Sequence, residues 1–259
     1  EDDVRDEGER EDYHWWNRLN MVHSITNTSI FILPVGIKID ATDNVFITDQ
    51  GNHRIQKFDS SGNFVLKFGS SGSGDGEFLS PYDVAIDSFG NIYVADKTND
   101  RIQKFDSSGS YLSQWNMGVD GFQLLMFDDP TNLLIDSSDN IYVTDFLNNR
   151  IQKFDSSGSF ILTFGTGGSG DGEFMNPAAM ALDSLGNVYI VDSSNHRIQK
   201  FDSSGIYISQ FGTQGSGDGE FEYPLGIAID SYGDIYVADT GNNRIQKFNS
   251  SGNYLAKWG

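Results

Sequence analysis

Residues 52–58 read Asn-His-Arg-Ile-Gln-Lys-Phe, and near-copies begin at Asn99 (NDRIQKF), Asn148 (NNRIQKF), Asn195 (NHRIQKF) and Asn242 (NNRIQKF). The intervals between their arginines, Arg54, Arg101, Arg150, Arg197 and Arg244, are 47, 49, 47 and 47 residues. So regular a period marks one supersecondary unit copied five times, at a spacing typical of propeller blades. Outward from the second copy, the unit resolves into four strands. Pro81 opens it, and the apolar run Val84-Ala85-Ile86 suits a strand buried on both faces. Asp87 to Asn91 form a turn, and Ile92 to Ala95 are β-branched and aromatic, giving a second strand. Lys97 to Asn99 turn again. Arg101 to Phe105 then alternate polar with apolar, the period of a half-exposed strand, and Asp106 to Gly109 lead into an outer strand, Tyr111 to Trp115.

A four-stranded meander of this size cannot bury both faces, so the copies are expected to stack, and a ring leaves no end exposed. Helical repeats are excluded, because turn residues recur every eight to twelve positions and no i, i+3, i+4, i+7 apolar pattern persists. The expected fold is all-β: a β-propeller of five four-stranded units at about 34–80, 81–129, 130–176, 177–223 and 224–259. Its blade number becomes six if the N-terminal segment or a partner completes another blade.

From Pro224 to Phe248 the chain reads P-L-G-I-A-I-D-S-Y-G-D-I-Y-V-A-D-T-G-N-N-R-I-Q-K-F, which resembles the consensus of NHL repeats throughout. The resemblance runs over about Phe31 to Gly259. It implies a β-propeller, commonly six-bladed, most often serving as a rigid platform for other macromolecules, and does not itself imply a reaction.

The 259 residues suit one propeller, with residues 1–33 as an acidic arm and 34–259 as the ring. No cysteine is present, so disulfides and thiolate metal sites are excluded. No stretch of eighteen apolar residues occurs and the start is acidic, which predicts neither a membrane span nor an uncleaved signal peptide. The missing initiator Met predicts a processed or trimmed chain. Seventeen basic against thirty-seven acidic residues give a net charge of −20, which repels phosphate backbones and argues against nucleic acid as a partner. Some NHL propellers bind RNA through a basic face, but here ten of the seventeen basic residues are spread evenly through the RIQK segments.

Asp49, Asp96, Asp145, Asp192 and Asp239 each precede the repeat arginine by five residues, and across a tight hairpin the two should meet as a charge-assisted pair. Five copies of Asp49–Arg54, Asp96–Arg101, Asp145–Arg150, Asp192–Arg197 and Asp239–Arg244 argue for a structural role. His53 and His196 fill a variable slot in the same turn and read as surface turn residues. With His14 and His23 they are the only histidines. That is too few, and too scattered, for the three ligands of a catalytic zinc. No catalytic residue is assigned and the chain is not expected to be an enzyme. The alternative is a propeller hydrolase or lyase, lactonase-like or metal-dependent.

GSGDGEF recurs at Gly72, Gly168 and Gly215. Hard cations take oxygen ligands, so Asp75 with Glu77, Asp171 with Glu173, and Asp218 with Glu220 are candidates for weak calcium sites, calcium being the one cofactor considered. The competing reading is a solvated crossing loop in which Phe78, Phe127, Phe174 and Phe221 plug the space between blades. Turns alternate between two faces, and the face carrying the loops from a unit's second strand to its third and from its fourth strand to the next unit varies more between copies. Blade three adds Phe122, Leu124, Leu125 and Met126 there, followed by Phe146 and Leu147: either a partner site or apolar cover for the blade edge.

The first twelve residues hold eight acids and two bases, the composition of a solvated or partner-ordered tail. Tyr13 to Asn17 is similar to an outer strand, and Phe31 stands before Pro34 as Phe78 stands before Pro81. A spare strand could add to an exposed sheet edge, including that of a second copy, and an unclosed series of such contacts makes a filament. The expectation is a non-enzymatic protein-interaction or scaffold propeller, as a subunit of an assembly. Glycosylation-type triplets at Asn27 and Asn249 favour a secreted or cell-surface location.

Overall fold

The computed structural model describes residues 30–116 and 126–259, and Phe31–Gly259 form one compact unit. Five four-stranded antiparallel sheets follow one another along the chain, each with its strands in sequence order. With the strands lettered a to d, blade one is Pro34–Ile39, Val45–Asp49, Arg54–Phe58 and Phe64–Phe68. Blade two is Pro81–Ile86, Ile92–Asp96, Arg101–Phe105 and Tyr111–Trp115. Blade three is Pro130–Ile135, Ile141–Asp145, Arg150–Phe154 and Phe160–Phe164. Blade four is Pro177–Leu182, Val188–Asp192, Arg197–Phe201 and Tyr207–Phe211, and blade five is Gly226–Ile229, Ile235–Asp239, Arg244–Phe248 and Tyr254–Trp258. The chain is a five-bladed β-propeller.

Turn chemistry fixes the meander. In the c-to-d turn of blade two, Asp106 Oδ1 accepts from the backbone N–H of Ser108 and of Ser110, both at 2.9 Å, an Asx turn that reverses the chain. The b-to-c connection is a short 3-10 turn, Lys97–Asn99, closed by Asp100 at φ 51°. Asn and Asp tolerate that left-handed conformation better than other side chains.

The core is divided into four slabs, one between each pair of successive blades. Between blades one and two, Phe46 and Ile55 pack on Val84, Ile92, Val94 and Phe105. Between two and three, Tyr93, Ile102 and Trp115 meet Leu133, Ile141, Val143 and Phe154. The same positions recur in the remaining two slabs. Each blade therefore has a forward face, read from strand-b and strand-c positions such as Tyr93 and Ile102, and a backward face, read from Val84, Val94 and Phe105.

This double-sided packing corrects the expectation for strand c. Arg101–Phe105 is nearly all buried rather than half exposed, because its polar positions carry the Arg and Gln of a buried network. The close sheet packing between successive blades is not repeated between blade five and blade one. Ile37 on the backward face of blade one is 61% exposed, against 0% for its counterparts Val84 and Leu133. On the forward face of blade five, Ile245 is 40% exposed where Ile55, Ile102, Ile151 and Ile198 are at 0%. These two faces lack a neighbouring sheet among the described residues.

Candidate binding face and hub

The repeated polar residues converge on the b-to-c end of every blade. Asp96 Oδ2 accepts from Arg101 Nε at 2.7 Å, Asn99 Nδ2 at 2.9 Å and Gln103 Nε2 at 3.1 Å, while its Oδ1 takes the Leu79 N–H at 2.8 Å. All five aspartates of this kind are fully buried, and Nε to Oδ2 is 2.6–2.7 Å in each Asp–Arg pair. Arg101 also donates to the carbonyls of Ser73, Gly74 and Glu77, so the pair clamps the preceding crossing loop to the hairpin. For Asp145, burial pushes the carboxyl above its ordinary range while bonds from Asp128, Arg150 and Asn148 pull it back.

The residue before each repeat arginine has a role that the sequence reading missed. His53 Nδ1 accepts from Ser80 N at 3.1 Å, Asp100 Oδ1 from Asp129 N at 3.0 Å, Asn149 Oδ1 from Asn176 N at 2.8 Å, and His196 Nδ1 from Tyr223 N at 3.1 Å. Each side chain pins the strand-a entry of the next blade. The histidines are thus not free surface residues: His196 is only 7% exposed and packs on Tyr223 at 4.6 Å between ring centroids. The one signal in sequence is that His, Asp and Asn share a side-chain acceptor at the same distance from the backbone.

In the crossing loops, Glu77, Glu173 and Glu220 each turn Oε2 back onto the N–H of Gly74, Gly170 and Gly217, at 2.9, 2.8 and 2.7 Å. Asp218 Oδ1 takes Lys257 Nζ at 2.7 Å. Asp75 and Asp171 face Tyr111 and Tyr207, raising those phenols together with burial. Among the described residues no group of three or more His, Cys, Asp or Glu is placed to hold a metal ion. Phe78, Phe127, Phe174 and Phe221 are buried plugs, and Phe31, 5.8 Å from Phe58 by ring centroid, takes the same place at blade one.

The starts of the five a strands surround a hub cavity of about 430 Å³, whose lining includes Val35, Asp83, Thr131, Phe146, Ala178 and Leu225. Gly36 is required there, because a Cβ would lie 2.8 Å from Asp83 Oδ1 and from the Tyr82 carbonyl. Asp83 Oδ2 accepts from Asn132 Nδ2 at 2.7 Å and from the Leu133 N–H at 3.0 Å. Burial holds its carboxyl above the ordinary range, against the opposing charge of Lys38. Thr131 is buried and its hydroxyl has no hydrogen-bond partner.

Around the same face, exposed apolar side chains come from four blades: Leu33 and Val35, Met126 and Leu147, Met175, and Tyr223 with Leu225. Phe146 lines the hub instead of joining this rim. Phe122, Leu124 and Leu125, and the strand-like Tyr13 to Asn17, lie outside the described residues. No helix of the described residues is long and apolar enough to cross a membrane.

Comparison with known proteins places this architecture. A family described as a 6-bladed beta-propeller matches residues 26–134, and the NHL repeat matches residues 174–201 and 221–248. Protein brain tumor of Drosophila melanogaster is 39% identical over 49 residues, which are 19% of this chain and 5% of that protein. Among solved structures, virginiamycin B lyase from Staphylococcus aureus is similar with TM-score 0.67 and 17% identity, over 87% of this chain and 69% of the lyase. A chain of the Nidogen/Laminin complex gives TM-score 0.65 and 16% identity, over 87% of this chain and 80% of that one. At such identities the likeness to the solved structures is one of fold. With its stacked four-stranded sheets the chain is a β-propeller, and its fourth and fifth blades match the NHL repeat.

Proposed function

We propose that the chain is a non-enzymatic platform that binds a protein partner through the face around the hub cavity. One observation carries this reading: apolar side chains from four blades stand exposed together on that face, where a lone hydrophobic would mean nothing. Rigid blades hold them at fixed spacing, so little ordering entropy opposes binding. The net charge of −20 disfavours a phosphate backbone as the partner. An extracellular assembly belongs to the same proposal, supported by the two Asn triplets at Asn27 and Asn249.

Partner capture from the native source tests it. Replacing Leu147 and Leu225 with Asp should abolish capture, while the same change at Phe89 and Leu185 on the opposite face should leave it intact. Equal loss from both faces, or from neither, contradicts the proposal.

A second reading, a lyase or hydrolase working in the hub, is favoured by the buried unpaired hydroxyl of Thr131 in the cavity that Asp83 also lines. Turnover of a small molecule that is lost in Asp83→Asn while partner capture persists would establish that reading instead.

A further inference from the structure

The c-to-d turn is the most uniform part of the repeat, and one copy departs from it by a single side-chain atom. The turn reads Asp-Ser-Ser-Gly from Asp59, Asp106, Asp155 and Asp202, and Asn-Ser-Ser-Gly from Asn249. That exchange of an oxygen for a nitrogen makes an Asn-x-Ser triplet, the acceptor pattern for N-linked glycan transfer. We propose that Asn249 is a glycosylation site whose substrate is an oligosaccharide linked to a polyprenyl pyrophosphate. The inference rests on the extracellular reading above and adds to it a modified atom and the face that carries it.

The exchange keeps the turn and gives up one bond. Asn249 Oδ1 accepts from the N–H groups of Ser251 and Asn253, both at 3.0 Å, as Asp59 Oδ1 does from Ser61 and Asn63 at 2.9 and 2.8 Å. Blade one shows the use of the second carboxylate oxygen: Asp59 Oδ2 accepts from Asn63 Nδ2 at 2.9 Å. That bond is the largest of the causes that hold the Asp59 carboxyl below its ordinary range. Blade five carries the same partner, Asn253, but an amide nitrogen now faces it, and two donors cannot bond. Asn249 is therefore the poorer residue for this turn. Among the described residues its Nδ2 has no hydrogen-bond partner, and it is not buried.

The turn is rigid and faces away from the hub. Tyr189 of blade four donates to the Ser250 carbonyl at 3.3 Å. The turn glycines of blades two to five are covered by the strand-d aromatic of the preceding blade. A Cβ on Gly109, Gly158, Gly205 or Gly252 would meet the ring of Phe68, Trp115, Phe164 or Phe211 at 2.6–2.9 Å, whereas Gly62 in blade one has nothing within 4 Å. A Cβ on Gly233 would lie 3.8 Å from that of Ser250, so this turn stands beside the a-to-b turn, on the face opposite the hub rim. Ser250 and Ser251 are exposed there. A glycan at this place leaves the apolar rim open to a partner.

In the transfer, Nδ2 gives one proton to a base of the transferring enzyme and bonds to C1 of the first sugar. The bond from C1 to the pyrophosphate oxygen breaks, and polyprenyl pyrophosphate leaves. The two N–H groups on Oδ1 stabilise the negative charge which that oxygen gains as the proton departs. The aspartates of the other four turns offer no nitrogen for this bond.

Peptide mass spectrometry tests the proposal on the full chain purified from its native source, with the cell fraction recorded. Enzymatic release of N-glycans in heavy-oxygen water marks each modified Asn as a labelled Asp. The triplet at Asn27 is an internal reference, because it reports whether the chain met the transferase. The proposal predicts the mark at Asn249, and its loss in a Ser251→Ala variant, which keeps Asn249 but removes the triplet. A mark that survives Ser251→Ala is spontaneous deamidation and overturns the site. A mark at Asn27 alone also overturns it and leaves the extracellular reading standing. Marks at neither triplet overturn it too, and the fraction then separates the two readings: a chain from the surface or medium keeps the extracellular one, and a chain from the cell interior removes both.

Discussion

At the residue scale, one aspartate per blade carries the most. Asp96 is fully buried and accepts from four donors, so its charge is compensated only while the whole set is present. Breaking a buried ion pair by removing one partner costs about 3–5 kcal/mol. Arg101→Ala is expected to lose stability on that scale, measured by urea unfolding, and a loss below about 1 kcal/mol, the level of an exposed pair, contradicts the assignment. The acceptor slot predicts a graded result: His196→Ala should cost about 1 kcal/mol, the net worth of one hydrogen bond, and His196→Asn much less. Asp83 supplies a pH test of opposite sign to ordinary acid unfolding. Its folded-state carboxyl is raised by burial, so protonation favours the native state and the charged form penalises it. The penalty is complete once pH rises above the raised value and absent once pH falls below the ordinary carboxylate range near 4. Asp83→Asn should therefore melt higher than the parent at pH 7, with the gap narrowing toward pH 4. A gap that stays constant with pH rules this out.

At the scale of the element, the blade is what a single sequence reveals best. Strand order, the short turns and the alternation of strand d all follow from the spacing of Pro, Asp, Gly and the RIQKF segment, because those signals are local. The burial of strand c was not legible. Whether Gln103 faces solvent or a buried carboxylate depends on Asp96 across its own hairpin and on the crossing loop at Gly76 and Glu77, and no periodicity within one strand encodes that. The acceptor slot stayed hidden for the same reason: its partner lies 27 residues away, on another sheet. Phe78 illustrates how elements are joined, since it is fully buried within 5.5 Å of Phe105 by ring centroid. Phe78→Ala should cost about 3–5 kcal/mol by the usual cost of emptying a core aromatic site. Loss of less than half that, by calorimetry or urea, would mean that the crossing loop does not anchor the slab.

At the scale of the whole molecule, five copies of one sheet make four interfaces and leave two faces over. Stability in such repeats is approximately a sum of blade terms and neighbour terms, so the terminal faces are where the assembly is weakest and most able to accept something else. The repeat count was plain in the sequence, but the open seam was not, because it depends on the angle at which blades stack, which no motif states. Apolar residues at the seam, such as Ile37 and Ile245, look the same in sequence as their buried counterparts. The contrast between Gly109 and Gly62 turns this difference into a measurement. The pair Phe68→Cys with Gly109→Cys spans an internal interface, and Trp258→Cys with Gly62→Cys spans the seam at equivalent positions in this cysteine-free chain. Oxidation should close an intramolecular disulfide in the first double variant and none in the second. A disulfide across Gly62 and Trp258 positions would show a ring closed by five blades, and failure of the Phe68 and Gly109 pair would contradict the stacking on which the account rests.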